Sequence, residues 1–316
     1  MQLRRSEVAI GLAVFNGARY LGEFLDSLLA QTESNFRLVV SDNASTDETR
    51  EILHAYSPRF RYPISVLPSP TRTTSAALNF ARVTDFIDAD YLMYADADDV
   101  WYPNKVEISL STIKQHESVY GSDKPILMHS DLEVVDRNLR RIAPSYWRYQ
   151  NIDPSRVELR QILMRNCVTG CTTILNRALL LIARPIPEEA IMHDYWCALT
   201  AAAFGHIVSC RTPLLAYRQH GANDTGASRW GLRFLIRRMR EISSDRSPRR
   251  AVDAKVRQAK AFLAGNADKL SYDQRQTLLA LATLYSHNAL KRRFTLIRHR
   301  LLDDGVVRNI GLMLNA

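Results

Sequence analysis

Apolar and polar residues change period along the first 120 positions. Val8-Ala9-Ile10-Gly11-Leu12-Ala13-Val14-Phe15 is an unbroken apolar run closed by Asn16-Gly17, the pattern of a strand buried on both faces. Tyr20, Phe24, Leu25, Leu28 and Leu29 then recur at helical spacing. Phe36 to Val40 predicts a second strand. In the polar stretch after it, Ser45 or Thr46 is placed to cap a helix reaching about Tyr56, with Asp47 and Glu48 in its first turn. Ile64 to Leu67 reads as a short strand, Ser75 to Phe86 as a helix and Tyr91 to Ala95 as a fourth strand. Pro103 opens a helix toward Tyr120 from the favoured first-turn position.

This alternation predicts an α/β fold with a mostly parallel, Rossmann-like sheet flanked by helices. Ligands of such sheets bind beyond the carboxyl ends of the strands. Three polar clusters fall there: Phe15-Asn16, Asp42 to Asp47, and Asp96-Ala97-Asp98-Asp99. Carboxylates at i and i+2 leave a strand end on the same side, roughly 6.5 Å apart. Carboxylates held together repel unless a cation is supplied. Hard oxygen donors suit Mg2+ or Mn2+ bridging to phosphates, so a divalent ion is the expected cofactor, with an acidic surface turn as the alternative. Asp42 is placed either to accept a hydrogen bond from a nucleobase or to shape its turn.

The chain has 316 residues, 46% hydrophobic and 24% charged, with 4 Cys. That composition excludes a disordered chain and a disulfide scaffold, and the cysteine spacing gives no paired zinc-site pattern. No apolar run approaches the ~20 residues of a spanning helix, and no secretory apolar region opens the chain. A cytoplasmic protein with reduced thiols is expected. The net charge of +9 is unevenly spread, at −3 over residues 1–228 and +12 from Arg229 onward. The division predicts a body over 1–226, its donor half about 1–125 and acceptor half about 126–226, and a basic helical region over 227–316. Arg229 to Arg240 interleaves Arg with Trp230, Phe234 and Leu235, and Lys291 to Arg298 repeats the theme. Such segments either rest on an anionic membrane surface, here the inner face of the cell membrane, or form a helical lid with solvated arginines. No nucleic-acid motif accompanies the charge, so a nucleic-acid partner is not expected.

The order Val14-Phe15-Asn16, then Leu25, Leu28-Leu29 and Gln31-Thr32, then Ser41 to Asp47, then Asp96-Ala97-Asp98-Asp99-Val100-Trp101-Tyr102-Pro103-Asn104-Lys105 resembles the family 2 glycosyltransferases over about residues 6–225. The resemblance implies a GT-A fold and inverting transfer of a sugar from a nucleotide-sugar donor to an acceptor. It implies nucleotide contacts from Phe15, Asn16, Asp42 and Asp96, with Asp98 on the metal. Gly170-Cys171-Thr172 and Tyr217-Arg218-Gln219-His220-Gly221-Ala222-Asn223 are similar to a bacterial rhamnosyltransferase-like branch, which implies dTDP-rhamnose as donor and a glycan or lipid-linked acceptor in surface polysaccharide synthesis. Val14, Ala97 and Asn43 depart from the residues usual at their places, which touches donor identity more than activity.

The resemblance also puts the catalytic base at a helix start in the second half, where His193-Asp194 matches and makes Asp194 the candidate. A helix N-terminus favours the ionised carboxylate by about 0.3–1 kcal/mol and so predicts a weakened base. His220 follows a strand, Leu214 to Tyr217, and is a candidate for metal ligation or diphosphate contact. Arg218, His193, Gly170 and Trp101 are further candidates for phosphate or acceptor contacts. Two rival readings are a sugar-phosphate nucleotidyltransferase, which wants a Gly-rich loop that Asn16-Gly17-Ala18-Arg19 does not supply, and a non-catalytic scaffold of the same fold.

Overall fold

The computed structural model describes residues 6–68, 72–220 and 247–315. The first half runs β1 (Ser6–Val14), α1 (Ala18–Leu29), β2 (Phe36–Asp42), α2 (Thr49–Tyr56), β3 (Ser65–Val66), α3 (Ala76–Phe86), β4 (Ala89–Ala95), β5 (Val100–Trp101) and α4 (Lys105–Tyr120). It continues through β6 (Ile126–Asp136), β7 (Arg141–Ala143), α5 (Tyr146–Gln150), α6 (Leu159–Met164), β8 (Thr173–Asn176), α7 (Arg177–Ala183), α8 (His193–Phe204) and β9 (His206–Gln219). Among the described residues four helices follow: α9 (Ser247–Asn266), α10 (Tyr272–Ala282), α11 (Ala289–Arg298) and α12 (Val306–Asn315).

The strands form one nine-stranded sheet in the order β3-β2-β1-β4-β8-β6-β9-β5, with β7 on β6. β1 to β4 run parallel, as do β6 and β9; β5, β7 and β8 run against them. The sheet is thus mostly parallel and flanked by helices, the expected class. The inner stretches of β1 and β4 are apolar because each face of the sheet has its own core there. Val8, Ile10, Leu12 and Val14 face the side of α1 and α4, while Ala9 with Leu92 and Tyr94 of β4 faces the side of α3 and α8. The two-residue period of a strand sorts one apolar run between the two cores.

Two helix starts differ from the sequence reading. Helix α2 begins at Thr49, because Ser45 is recruited elsewhere: its hydroxyl donates to Asp42 Oδ1 (2.5 Å) and accepts Asn16 N–H (2.8 Å). Helix α4 begins at Lys105, two residues beyond Pro103, whose carbonyl accepts the Thr32 N–H instead (2.8 Å).

Helices α9 to α12 share the core of the body. Phe262 packs edge-on against Trp196 (5.2 Å) and stacks on Phe204 (6.1 Å). Gln258 Oε1 accepts the Ile191 N–H (2.9 Å), and Gln274 Nε2 donates to Ala203 O (2.7 Å). The expected boundary at residue 226 and the basic stretch Arg229 to Arg240 lie outside the described residues.

Candidate functional site

The acidic loop leaves β4 at Ala95 and turns at once into β5, which pairs with β9 at Val100↔Ala216 and Trp101↔Leu215. That pairing carries the loop to the end of β9. There His220 Nε2 lies 2.8 Å from Asp98 Oδ2, and the imidazole stacks on Tyr20 (5.0 Å, 29°). Two residues 122 apart in sequence are thereby brought together as candidate metal ligands. Asp96 groups with Asp99 and Cys171: one oxygen of each carboxylate and the Cys171 sulfur lie within 4.8 Å of one another. Asp99 Oδ1 accepts the Arg218 N–H (3.3 Å), whereas its Oδ2 is buried with no hydrogen-bond partner among the described residues. Burial first, then Asp98 and Asp96, pushes the Asp99 carboxyl well above the ordinary carboxylate range. Carboxylates crowded at this cost, one with an unsatisfied buried oxygen and one beside an imidazole, form a donor set that fits Mn2+ or Mg2+.

Arg218, the candidate for a phosphate contact, lies near the end of β9. Its side chain is buried, and its donors are taken by Asp98 O (2.9 Å), Arg137 O (2.8 Å) and Glu23 Oε2 (2.7 Å), with the guanidinium 4.5 Å from the Tyr20 ring. A buried guanidinium must spend its donors on fixed acceptors, so Arg218 clamps the acidic loop from beneath. Trp101 is likewise a core residue, 2% exposed, edge-on to Phe24 (6.0 Å) and under the Lys105 ammonium (4.5 Å).

At the end of β1, Phe15 is exposed with the Arg72 guanidinium over its ring (4.0 Å). Asn16 is in the left-handed region (φ 49°) and accepts the Thr46 N–H (2.8 Å). These bonds sew the β1 end to the loop after β2. Asp42 closes β2 with its carboxylate buried: Oδ1 accepts the Ser45 N–H (3.0 Å) and hydroxyl, and Oδ2 accepts Arg50 Nε (2.5 Å). These bonds shape the turn after β2. The group projecting from it is the Arg50 side chain, 56% exposed.

Asp194 sits in the first turn of α8, half-buried. Burial pushes its carboxyl up to about 7, against the pull of N–H groups of Tyr195, Gly170 and its own backbone. The helix N-terminus had predicted the opposite; the loss of water outweighs the helix end. Gly170 therefore enters the site through its backbone. A Cβ there would lie 2.7 Å from His193 Nε2 and 3.5 Å from Asp194 Cβ. His193 turns inward. It is buried, stacked on Phe80 (3.7 Å, 22°) and edge-on to Tyr94 (4.4 Å), and burial lowers its pKa to about 3, so it stays neutral.

Four groups were not singled out from sequence: Tyr20, Glu23, Lys105 and Cys171. Lys105 Nζ donates to Cys171 O (2.9 Å) beneath the acidic loop. Their sequence signals are thin, since Lys105 and Cys171 stand only as motif neighbours of Asp99 and Gly170, and Tyr20 and Glu23 read as an ordinary helix.

The sheet, with its acidic loops gathered at strand ends, defines a GT-A nucleotide-sugar transferase. The family described as Glycosyl transferase family 2 matches residues 9–179, more than half of the chain, and the chain belongs to that family. Among relatives, a dTDP-rhamnosyl transferase (RfbG) of Shigella flexneri is 23% identical over 229 residues, covering 69% of this chain and 74% of its own. An uncharacterised glycosyltransferase of Nostoc is 26% identical over 227 residues, covering 69% and 66%. Among solved structures, S. aureus TarS 1-349 superposes with TM-score 0.58 at 18% identity, over 92% of this chain and 73% of that one. The Pyrobaculum calidifontis mannosyltransferase PcManGT, in complex with GDP-Man and Mn2+, gives 0.50 at 16% identity, over 95% and 86%.

Proposed function

We propose that the chain catalyses inverting, divalent-metal-dependent transfer of a sugar from a nucleotide donor to a glycan or lipid-linked acceptor. One observation carries the reading: the consecutive residues Gly170 and Cys171 touch both halves of the site. The Gly170 N–H reaches the Asp194 carboxylate, and Cys171 lies against Asp96 and Asp99. A carboxylate with pKa near 7 thus stands one residue away from the acidic cluster.

In this reading Phe15, Asn16 and Asp96 line the nucleotide subsite, and Asp42 acts there by folding the 43–46 loop and orienting Arg50. Asp98 and His220, with Asp96 nearby, would hold Mn2+ or Mg2+, which when bound neutralises charge developing on the diphosphate. Asp194 accepts the proton of the acceptor hydroxyl. The acceptor oxygen bonds the anomeric carbon from the face opposite the diphosphate, and the breaking C–O bond leaves its electron pair on the diphosphate. The base need only be ionised near neutral pH, and about 7 suits that task. The donor reading of dTDP-rhamnose is supported by the Gly170-Cys171-Thr172 and Tyr217-to-Asn223 motifs and by the name of the Shigella relative.

The test is a panel of dTDP-, UDP- and GDP-sugars with Mn2+, read by calorimetry and by release of the nucleoside diphosphate. Metal-dependent binding and turnover of one donor is expected. Failure of every nucleotide to bind would leave the non-catalytic scaffold as the better reading.

A further inference from the structure

Helices α11 and α12 carry two rows of exposed apolar side chains. On α11, Leu290, Phe294 and Ile297 are 78%, 62% and 58% exposed; on α12, Val306, Ile310 and Leu314 are 76%, 55% and 63% exposed. Spacings of three and four put each row on one face of its helix. Leu296 and Leu312 point the other way into the core. The two helices touch, with Arg293 Nε donating to Met313 O (2.9 Å). Single exposed leucines are ordinary, but rows on adjoining helices mark an interaction surface.

Charge decides between partners. Lys291, Arg293, Arg298 and Arg300 are exposed alongside the α11 row. The acids from His287 onward are Asp303 and Asp304. Both are half-buried, and Asp304 faces Arg156 (4.0 Å) and Arg165 (3.9 Å) of the body. The outward surface is therefore apolar and cationic. A second copy meeting it through a two-fold axis would set the same cations against themselves. A surface of lipid phosphates meets both demands. Each helix has 10 residues and so is about 15 Å long, half the ~30 Å of a bilayer core, and no helix among the described residues is long and apolar enough to cross a membrane.

We propose that the α11–α12 face docks on an anionic lipid bilayer, its six apolar side chains entering the headgroup boundary and its four cations meeting lipid phosphates. The docking does not depend on the transfer chemistry. The test is flotation of the full chain with vesicles of phosphatidylglycerol and phosphatidylcholine, against phosphatidylcholine alone. Binding is expected on the anionic vesicles and is lost at high salt. Phe294→Ser with Ile310→Ser should lower the bound fraction at least about fivefold, and Lys291→Glu with Arg298→Glu should do the same, both with wild-type melting and nucleotide binding. Wild-type partitioning by either pair would overturn the proposal. So would light scattering that shows a dimer which the apolar pair splits, because the face would then belong to a second copy.

Discussion

The Lys105 ammonium donates to the Cys171 carbonyl at 2.9 Å, tying the helix after the acidic loop to the turn beside Asp194. Burial presses the amine down to about 8, against the upward pull of Cys171 and Asp99. A group buried at that cost holds something in place. Lys105→Met keeps the length and removes the donor. Leaving the Cys171 carbonyl unpaired should cost about 1–3 kcal/mol of stability. The freed turn should lower kcat at least about tenfold with a smaller change in donor KM, because a slight misplacement of the base is enough. Thermal melts and steady-state kinetics measure both, and a wild-type kcat would show that the tie has no part in turnover.

How much was legible beforehand depended on the range of the interaction involved. The strands of the first half declared themselves because both faces of β1 and β4 are apolar, so Ile10 and Leu92 carry their signal locally. Asp98 and His220 were separate candidates in sequence, and only the β5–β9 pairing joins them. Nothing near Arg218 in sequence names Glu23 or the Arg137 carbonyl, which accept from its guanidinium. The basicity of Asp194 was misjudged for the same reason: the helix end is local, whereas burial is a property of the whole fold.

The pair Asp98 and His220 makes a prediction about metal. Asp98→Asn should abolish Mn2+-dependent nucleotide binding, and His220→Ala should weaken it by about 10–100-fold, the range seen when groups ordering a metal site are removed. A chelator should silence the wild type, and Mn2+ or Mg2+ should restore it. Calorimetry of the nucleoside diphosphate with and without metal reads all of these. Equal binding by His220→Ala would confine the imidazole to its stack on Tyr20.

Asp194 predicts a pH profile. With its pKa raised to about 7, the carboxyl is protonated below neutrality, and kcat should fall about tenfold per pH unit beneath that point. The folded state keeps a proton that the unfolded chain gives up near 3.8. This contribution to stability is therefore present in full below the unfolded value and lost as the pH rises through about 7. Asp194→Asn should remove that slope from a melting series and lower kcat at least about 100-fold, with donor affinity unchanged. Wild-type turnover by Asp194→Asn would clear the residue of being the base.

Gly170 offers a test that separates the setting of the base from its presence. A Cβ at this position would lie 2.7 Å from His193 Nε2 and 3.1 Å from Cε1. His193 cannot retreat, because its ring is stacked on Phe80 and set edge-on to Tyr94. In Gly170→Ala the turn must shift instead, carrying its N–H away from the Asp194 carboxylate. That N–H favours the ionised form, so its withdrawal should raise the carboxyl pKa further. The acid limb of the rate profile should move to higher pH, and raising the pH should recover part of the lost rate. Simple damage to the fold would lower the rate at every pH and leave the limb in place. A profile measured at saturating donor, with melts on the same preparations, distinguishes the two. An unmoved limb in a folded Gly170→Ala enzyme would mean that this backbone contact does not tune the base.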